Sequence, residues 1–438
     1  MNPRTERLLA APIVPTLLRL SAPGVLLVVF QTLVSVGDTY FVGRLGTAPL
    51  AGLALVFPLI MLLQMTSAGA MGGGVSSAIA RALGAGDAVT ARRLVVHALV
   101  IAIAMGMAFT LFLLLFGRNL YALLGGSDDS LRQAITYSNV VFAGAIAIWL
   151  ANTLSSVLRG SGNMLVPAIV LISAAVIHLP LSGLLVSKIG IAGAGYAYVV
   201  TFSLASIAMA CFVFRRASAL RPKRDDFQLK KHLFEEILRV GGLSVLSALQ
   251  TVLTTVVLTG FVGRHGTAAL AGYGVGVRLE LLQIPLVFAV GQALVVLVGT
   301  HIGAGHAARA KRIAWTGTAL AGSLSLVIGF VAAFYPLGWV GLFSTDPAVL
   351  ESGSQYLRTV APFYPLLAAG IALYFASQGA GSVLQPMLAG TARLAIVIAG
   401  GILAASLAGI FWTIAVGMAA YGVLTMAAVG RAKWAART

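Results

Sequence analysis

The chain has 438 residues, of which 59% are hydrophobic and only 9% charged, with a mean hydropathy of +0.98. Soluble domains carry about 25% charged residues, so a freely soluble fold is excluded. The net charge of +17 is read as membrane topology plus attraction to anionic lipid, with no nucleic-acid partner.

Charge-free stretches run from Leu45 to Ala80, Ile189 to Phe214, Ile313 to Thr345 and Leu394 to Gly430, against the roughly 20 residues that one membrane crossing needs. Period-two alternation is not sustained, and a helix satisfies its backbone polar groups within itself. Cutting at charge clusters and Gly/Pro punctuation predicts twelve helices, over 15–41, 50–82, 91–117, 131–159, 164–187, 190–214, 233–262, 267–302, 307–335, 347–378, 384–405 and 407–429. The first span is too long for a signal-peptide core and reads as a retained helix. Cys211, the one cysteine, allows no intramolecular disulfide and reads as a packing residue.

The chain repeats itself. FVGRLGTAPLAG (41–52) and FVGRHGTAALAG (261–272) agree at ten of twelve positions, which chance does not supply. Gly84-Ala85-Gly86 recurs as Gly303-Ala304-Gly305, and Gly160-Ser161-Gly162 with Pro167 recurs as Gly379-Ala380-Gly381 with Pro386. The expected fold is an all-α membrane protein, twelve transmembrane helices in two pseudosymmetric six-helix lobes around a central cavity. Each lobe holds an even number of helices, so the repeats are parallel, about an axis along the membrane normal. The predicted lobes are 1–214 and 233–438, joined by a basic cytoplasmic linker, 215–232. Two such lobes can open a cavity to either side by rocking.

Cytoplasmic loops carry the positive excess. Arg4, Arg7, Arg19, Arg81, Arg92, Arg93, Arg159, the run from Arg215 to Lys231, Arg309, Lys311, Arg312, Arg431, Lys433 and Arg437 fall on one side, 20 of the 29 basic residues. Both termini are therefore expected in the cytoplasm.

Two acids lie deep in apolar sequence, Asp38 and Glu280; near a bilayer centre each costs about 2.5–3.5 kcal/mol on insertion scales and needs a reason. Asp38 shares a helical face with Ser35 and Gln31, a face predicted to look into the cavity. Burial favours the neutral acid and a nearby cation the carboxylate, so proton and cationic substrate compete for one group. Pairing with Arg44 is the structural alternative. The duplicate of Asp38 is Leu258, which concentrates the chemistry in the first lobe. Glu280 stands two residues after Arg278 and faces elsewhere. It either contacts the cavity or pairs through Arg239 or Arg393, and both readings stay open.

His178, beside Pro180, is either a hydrogen-bonded structural residue or a second proton-coupling group, since histidine as a class changes charge near neutral pH. Asn152, Gln250, Arg278, Tyr364, Tyr374 and Gln378 complete the candidate cavity set, with packing as the bland reading of each polar member. No phosphate-binding loop and no metal-ligand spacing occurs in the sequence, so no enzyme and no cofactor is expected. Uphill transport would then draw on an ion gradient.

The segment from Asp38 to Gly46, the VGRxGTAxLAG repeat, Leu-Arg-Gly-Ser-Gly (158–162) and YGVGVRLELL (273–282) together resemble the multidrug and toxic compound extrusion (MATE) family, nearest its DinF-like branch, over almost the whole chain. The resemblance implies an inner-membrane, multi-pass antiporter, here expected as a monomer, that exports lipophilic, often cationic or amphipathic small molecules against protons or sodium ions. It implies that Asp38 is the coupling acid, with Asn152 and His178 among the polar groups around it. Sodium-coupled members carry a Glu in helix 7 and an Asp in helix 10. Here helix 7 offers Gln250 and the helix 10 core no carboxylate, which favours protons, because a hard cation wants several charged oxygens. Where related members often place an Asp before the helix 5 proline, this chain has His178-Leu179-Pro180, which makes His178 a possible substitute. Two rivals are a lipid-linked saccharide flippase, which would need a cluster of cavity arginines where only Arg278 is available, and a membrane enzyme, which would need a second catalytic group beside Asp38.

Overall fold

The computed structural model describes residues 3–215 and 219–434, among which helices and turns occur and no strand. Arg216 and Arg437, counted above on the basic side, lie outside the described residues. The helices are α1 (Pro3–Ala10), α2 (Ile13–Gly43), α3 (Thr47–Gln64), α4 (Gly72–Gly84), α5 (Ala88–Leu123), α6 (Asp128–Ala143), α7 (Ala145–Gly160), α8 (Leu165–Ile189) and α9 (Ile191–Arg215). They continue with α10 (Lys231–Gly263), α11 (Thr267–Gly303), α12 (Ala307–Phe334), α13 (Pro336–Val340), α14 (Pro347–Val360), α15 (Tyr364–Gly379), α16 (Leu384–Leu403) and α17 (Leu407–Arg431). Eleven helical spans among the described residues are long and apolar enough to cross a membrane, and α6 with α7 makes a twelfth.

Three predicted helices are not continuous α-helix. The second contains a π-helical turn, Met65–Met71, between α3 and α4, where the hydroxyls of Thr66 and Ser67 bond back to Leu62 and Leu63 carbonyls. Such insertions widen the ladder by one residue and often mark functional segments. The fourth bends by 50° between α6 and α7 at Gly144, where α9 brings Val199 so close that a Cβ would collide with it. The tenth is interrupted by a 3₁₀ turn, Ala361–Phe363, because Pro362 and Pro365 each remove a backbone donor.

The duplication is written into the backbone. Glycines at matching turns share left-handed φ values, 118° and 102° at Gly46 and Gly266, 78° and 77° at Gly86 and Gly305, 78° and 72° at Gly162 and Gly381. A side chain there would be strained. Helix crossings repeat as well: a Cβ on Gly160 would stand 2.8 Å from the Ser76 carbonyl, and one on Gly379, 2.6 Å from that of Val295. Small residues let membrane helices approach this closely.

The chain divides into two compact units, one of Ala22–Gly241 with the residues before Leu8, the other of Leu8–Ser21 with the chain from Gly242 onward. In the first, Trp149, Phe142 and Tyr121 fill a core between α5, α6, α7 and their neighbours; in the second, Tyr356, Tyr364 and Phe411 do so.

Candidate functional site

In the first unit α2 crosses α8 at two glycines. Leu179 lies against Gly37, and a Cβ on Gly183 would meet the Phe41 ring at 3.1 Å. This approach brings Asp38, 7% exposed, onto the face of α8 that carries His178 and, one turn later, Ser182. Residues four apart share a helix face.

Ser182 Oγ donates to Asp38 Oδ1 at 2.5 Å, and His178 Nε2 lies 2.9 Å from both carboxyl oxygens. His178 Nδ1 is 3.4 Å from Thr201 Oγ1 on α9, and the Thr201 hydroxyl donates to the Ala197 carbonyl at 2.8 Å. With its proton so committed, Thr201 accepts from His178 Nδ1–H. Nε2 then meets Asp38 either as a second N–H, in an imidazolium–carboxylate pair, or as acceptor of the carboxylic proton. Both arrangements hold one proton more than a neutral imidazole beside a carboxylate. Release of that proton leaves Nε2–H on the carboxylate, turns Nδ1 into an acceptor and asks Thr201 to rotate its hydroxyl toward it. The pair changes from net charge zero to minus one. Burial makes that change matter to any cation nearby.

A second polar cluster adjoins it. Asn152 Nδ2 donates to Gln64 Oε1 at 2.9 Å and to Ser67 Oγ at 2.8 Å, and Gln64 Nε2 donates to Tyr198 Oη at 2.6 Å. Tyr198 stands edge-on to the His178 ring, centroids 6.1 Å apart. Asn152 thus reaches the Asp38 region through Gln64 and Tyr198, not by direct contact. Gln31 and Ser35 are exposed, and the structure does not bring them into this cluster. Arg44 lies over the Tyr40 ring, 5.9 Å from its centroid, while Asp38 takes His178 and Ser182 as partners.

The candidates of the second unit form separate groups. Tyr356 Oη donates to Glu280 Oε2 at 3.1 Å, Arg393 acts electrostatically on Glu280, and Tyr364 is buried in the core that holds Tyr356. Arg278 is exposed and stacks over Phe343, 5.4 Å from the centroid. Gln378 is fully buried and donates to Ser244 Oγ at 2.9 Å and Tyr374 Oη at 3.0 Å. Gln250 donates to Thr391 Oγ1 at 2.7 Å. Leu258, the duplicate of Asp38, is buried in apolar core. Among the described residues no three His, Cys, Asp or Glu side chains are grouped to hold a metal.

Sequence reading missed Ser182, Thr201, Gln64, Ser67 and Tyr198. Ser182 had a usable signal, its spacing of four from His178. The others are ordinary polar residues in apolar helices, and only the crossing of α3 and its π-helical turn with α7, α8 and α9 joins them.

A family model described as MatE matches residues 23–184 and 244–403, one match within each unit. An FAD transporter of Shewanella oneidensis is 28% identical over 84% of this chain and 82% of its own length. The probable multidrug resistance protein NorM of Thermotoga maritima is 25% identical over 85% and 81%. Among solved structures, an outward-facing multidrug resistance MATE family transporter superposes with a TM-score of 0.91, at 23% identity and 98% coverage of both chains.

Proposed function

The chain belongs to the MatE family, and from that premise we propose that it is a proton-coupled exporter of lipophilic cations, working by alternating access in a bacterial inner membrane with both termini in the cytoplasm. The observation that carries the reading is the buried Asp38–His178–Ser182 cluster, which can take up or release one proton. When the site opens outward, proton uptake brings it to zero net charge and loosens its hold on a cation. When it opens inward, proton loss restores the negative charge and a new cation binds. Each proton therefore travels inward as a cation leaves.

The names of the multidrug relatives support small organic compounds as cargo. The Shewanella relative's name points to a phosphate-bearing molecule, which an acidic site would repel in its deprotonated form, so a cation is the better fit. The sequence bias of Lys and Arg supports the orientation. Asn152 would act through Gln64 and Tyr198 on the shape of the site. Glu280 and Gln378 would stiffen the second unit through Tyr356 and Ser244.

The test is transport by purified protein in liposomes loaded with a cationic dye. Export driven by an imposed proton gradient without sodium is expected. Export that follows a sodium gradient and ignores protons would overturn the coupling.

A further inference from the structure

The basic linker that ends at α10 is strapped to the first unit at three points. Leu220 is buried in the core of that unit. Asp226, with its side chain 3% exposed, accepts from Arg92 Nε at 2.8 Å and from the Lys223 backbone N–H at 2.9 Å, with Arg93 Nε 3.7 Å away. The third point is His97, fully buried on α5. Its Nδ1 lies 2.7 Å from the Arg93 carbonyl, which can only accept, so Nδ1 carries the hydrogen. Its Nε2 therefore has a lone pair, and the Lys230 backbone N–H donates to it at 2.9 Å.

Lys230 is the residue just before α10, whose first turn bonds to the Lys230 carbonyl. Backbone N–H groups at a helix start have no partner within the helix, so His97 acts as an external cap. A second proton on His97 would turn its acceptor into a donor facing another donor. Arg93 on α5 and Lys230 on the linker supply the two backbone partners of the imidazole, Asp226 pairs with Arg92 and Arg93, Arg81 of α4 pairs with Glu236 of α10, and α10 presents the Phe234 ring, centroid 4.6 Å away. The Asp226 oxygens are already engaged by Arg92, Arg93 and Lys223.

We propose that His97 is a pH-sensitive catch: neutral, it holds the linker and the start of α10 against α5, and protonated, it lets go of Lys230. The catch is at full strength when the imidazole is neutral and is lost when Nε2 takes a proton. It is separate from the Asp38 site, and it holds whether or not the transport reading does.

Hydrogen exchange on the full-length protein in lipid nanodiscs tests it, with rates corrected for intrinsic pH dependence. In wild type, exchange at Lys230 and the residues before it should speed up about fivefold between about pH 8 and pH 6, the size that loss of one hydrogen bond implies. In His97→Phe it should be fast at both. Asp226→Asn should loosen the linker at every pH and leave the pH response in place. Wild-type protection that is flat across this range, or a pH response that persists in His97→Phe, overturns the proposal.

Discussion

Ser182 sits one helical turn beyond His178 and places its hydroxyl 2.5 Å from Asp38 Oδ1, so two side chains of α8 grip one carboxyl group of α2. A hydrogen bond to a charged group contributes about 1.5–3 kcal/mol. Ser182→Ala removes that donor, so the transport profile against external pH should change. An unchanged profile, measured as initial dye efflux across a pH series, would mean that Ser182 does not act on Asp38.

Asp38→Asn keeps the size of the side chain and removes its charge change. Dye accumulation against a gradient should be lost, while binding of the dye to detergent-solubilised protein weakens without unfolding. Uphill efflux at wild-type rate in this variant would remove the basis of the coupling scheme.

Glu280 poses a different question, because its Tyr356 partner belongs to a tightly packed core. Tyr356→Phe should cost about 1 kcal/mol of stability through one lost hydrogen bond, seen as a lower unfolding temperature. The number of protons moved per dye should not change. A changed stoichiometry would promote Glu280 to a coupling group.

Gly160 and Gly379 are duplicate crossing points whose Cβ positions are already occupied by backbone oxygens, Ser76 O and Val295 O. Gly160→Val and Gly379→Val should each destabilise by at least the roughly 1–3 kcal/mol of an overpacked core. Thermal unfolding in detergent reads this directly, and near-wild-type values for either variant would contradict the crossing.

Asp226 loses its grip in acid for the same reason as the histidine catch, because protonation removes an acceptor. Burial alone would raise its carboxyl, yet the Lys223 N–H and the Arg92 and Arg93 guanidinium groups outweigh that and hold it below the usual carboxylate range. Its contribution to stability is therefore present above about pH 4, where a free carboxyl ionises, and disappears as pH falls through the lowered value. Asp226→Ala, by removing the partner of Arg92, should cost about 1.5–3 kcal/mol at neutral pH, the worth of a hydrogen bond to a charged group, read as a lower unfolding temperature. That cost should shrink in acid, where wild type loses the pair too.

Much of this protein is legible without coordinates. Hydropathy and charge are properties of single segments, so the membrane spans and the basic linker follow from local sequence. The repeat from FVGRLGTAPLAG to FVGRHGTAALAG announced two related halves, and the matching φ values at Gly46 and Gly266 are its physical content. Asp38 stood out because a carboxyl group in an apolar helix has no cheap explanation, and the duplicate position carries the apolar Leu258 instead. What surrounds Asp38 could not be read in the same way. Periodicity put Gln31 and Ser35 on its face, yet both are exposed while Asp38 turns inward. Its partners come from α8, and Thr201 and Tyr198 from α9, through helix crossings that glycines permit. The π-helical turn at Met65–Met71 presents Ser67 to Asn152 of α7, and the bend at Gly144 falls where Val199 of α9 crowds it. Sequence alone determined which residues are costly to bury; the tertiary structure decided who compensates them, because a hydrogen bond across helices is set by where the helices meet and not by spacing along any one of them.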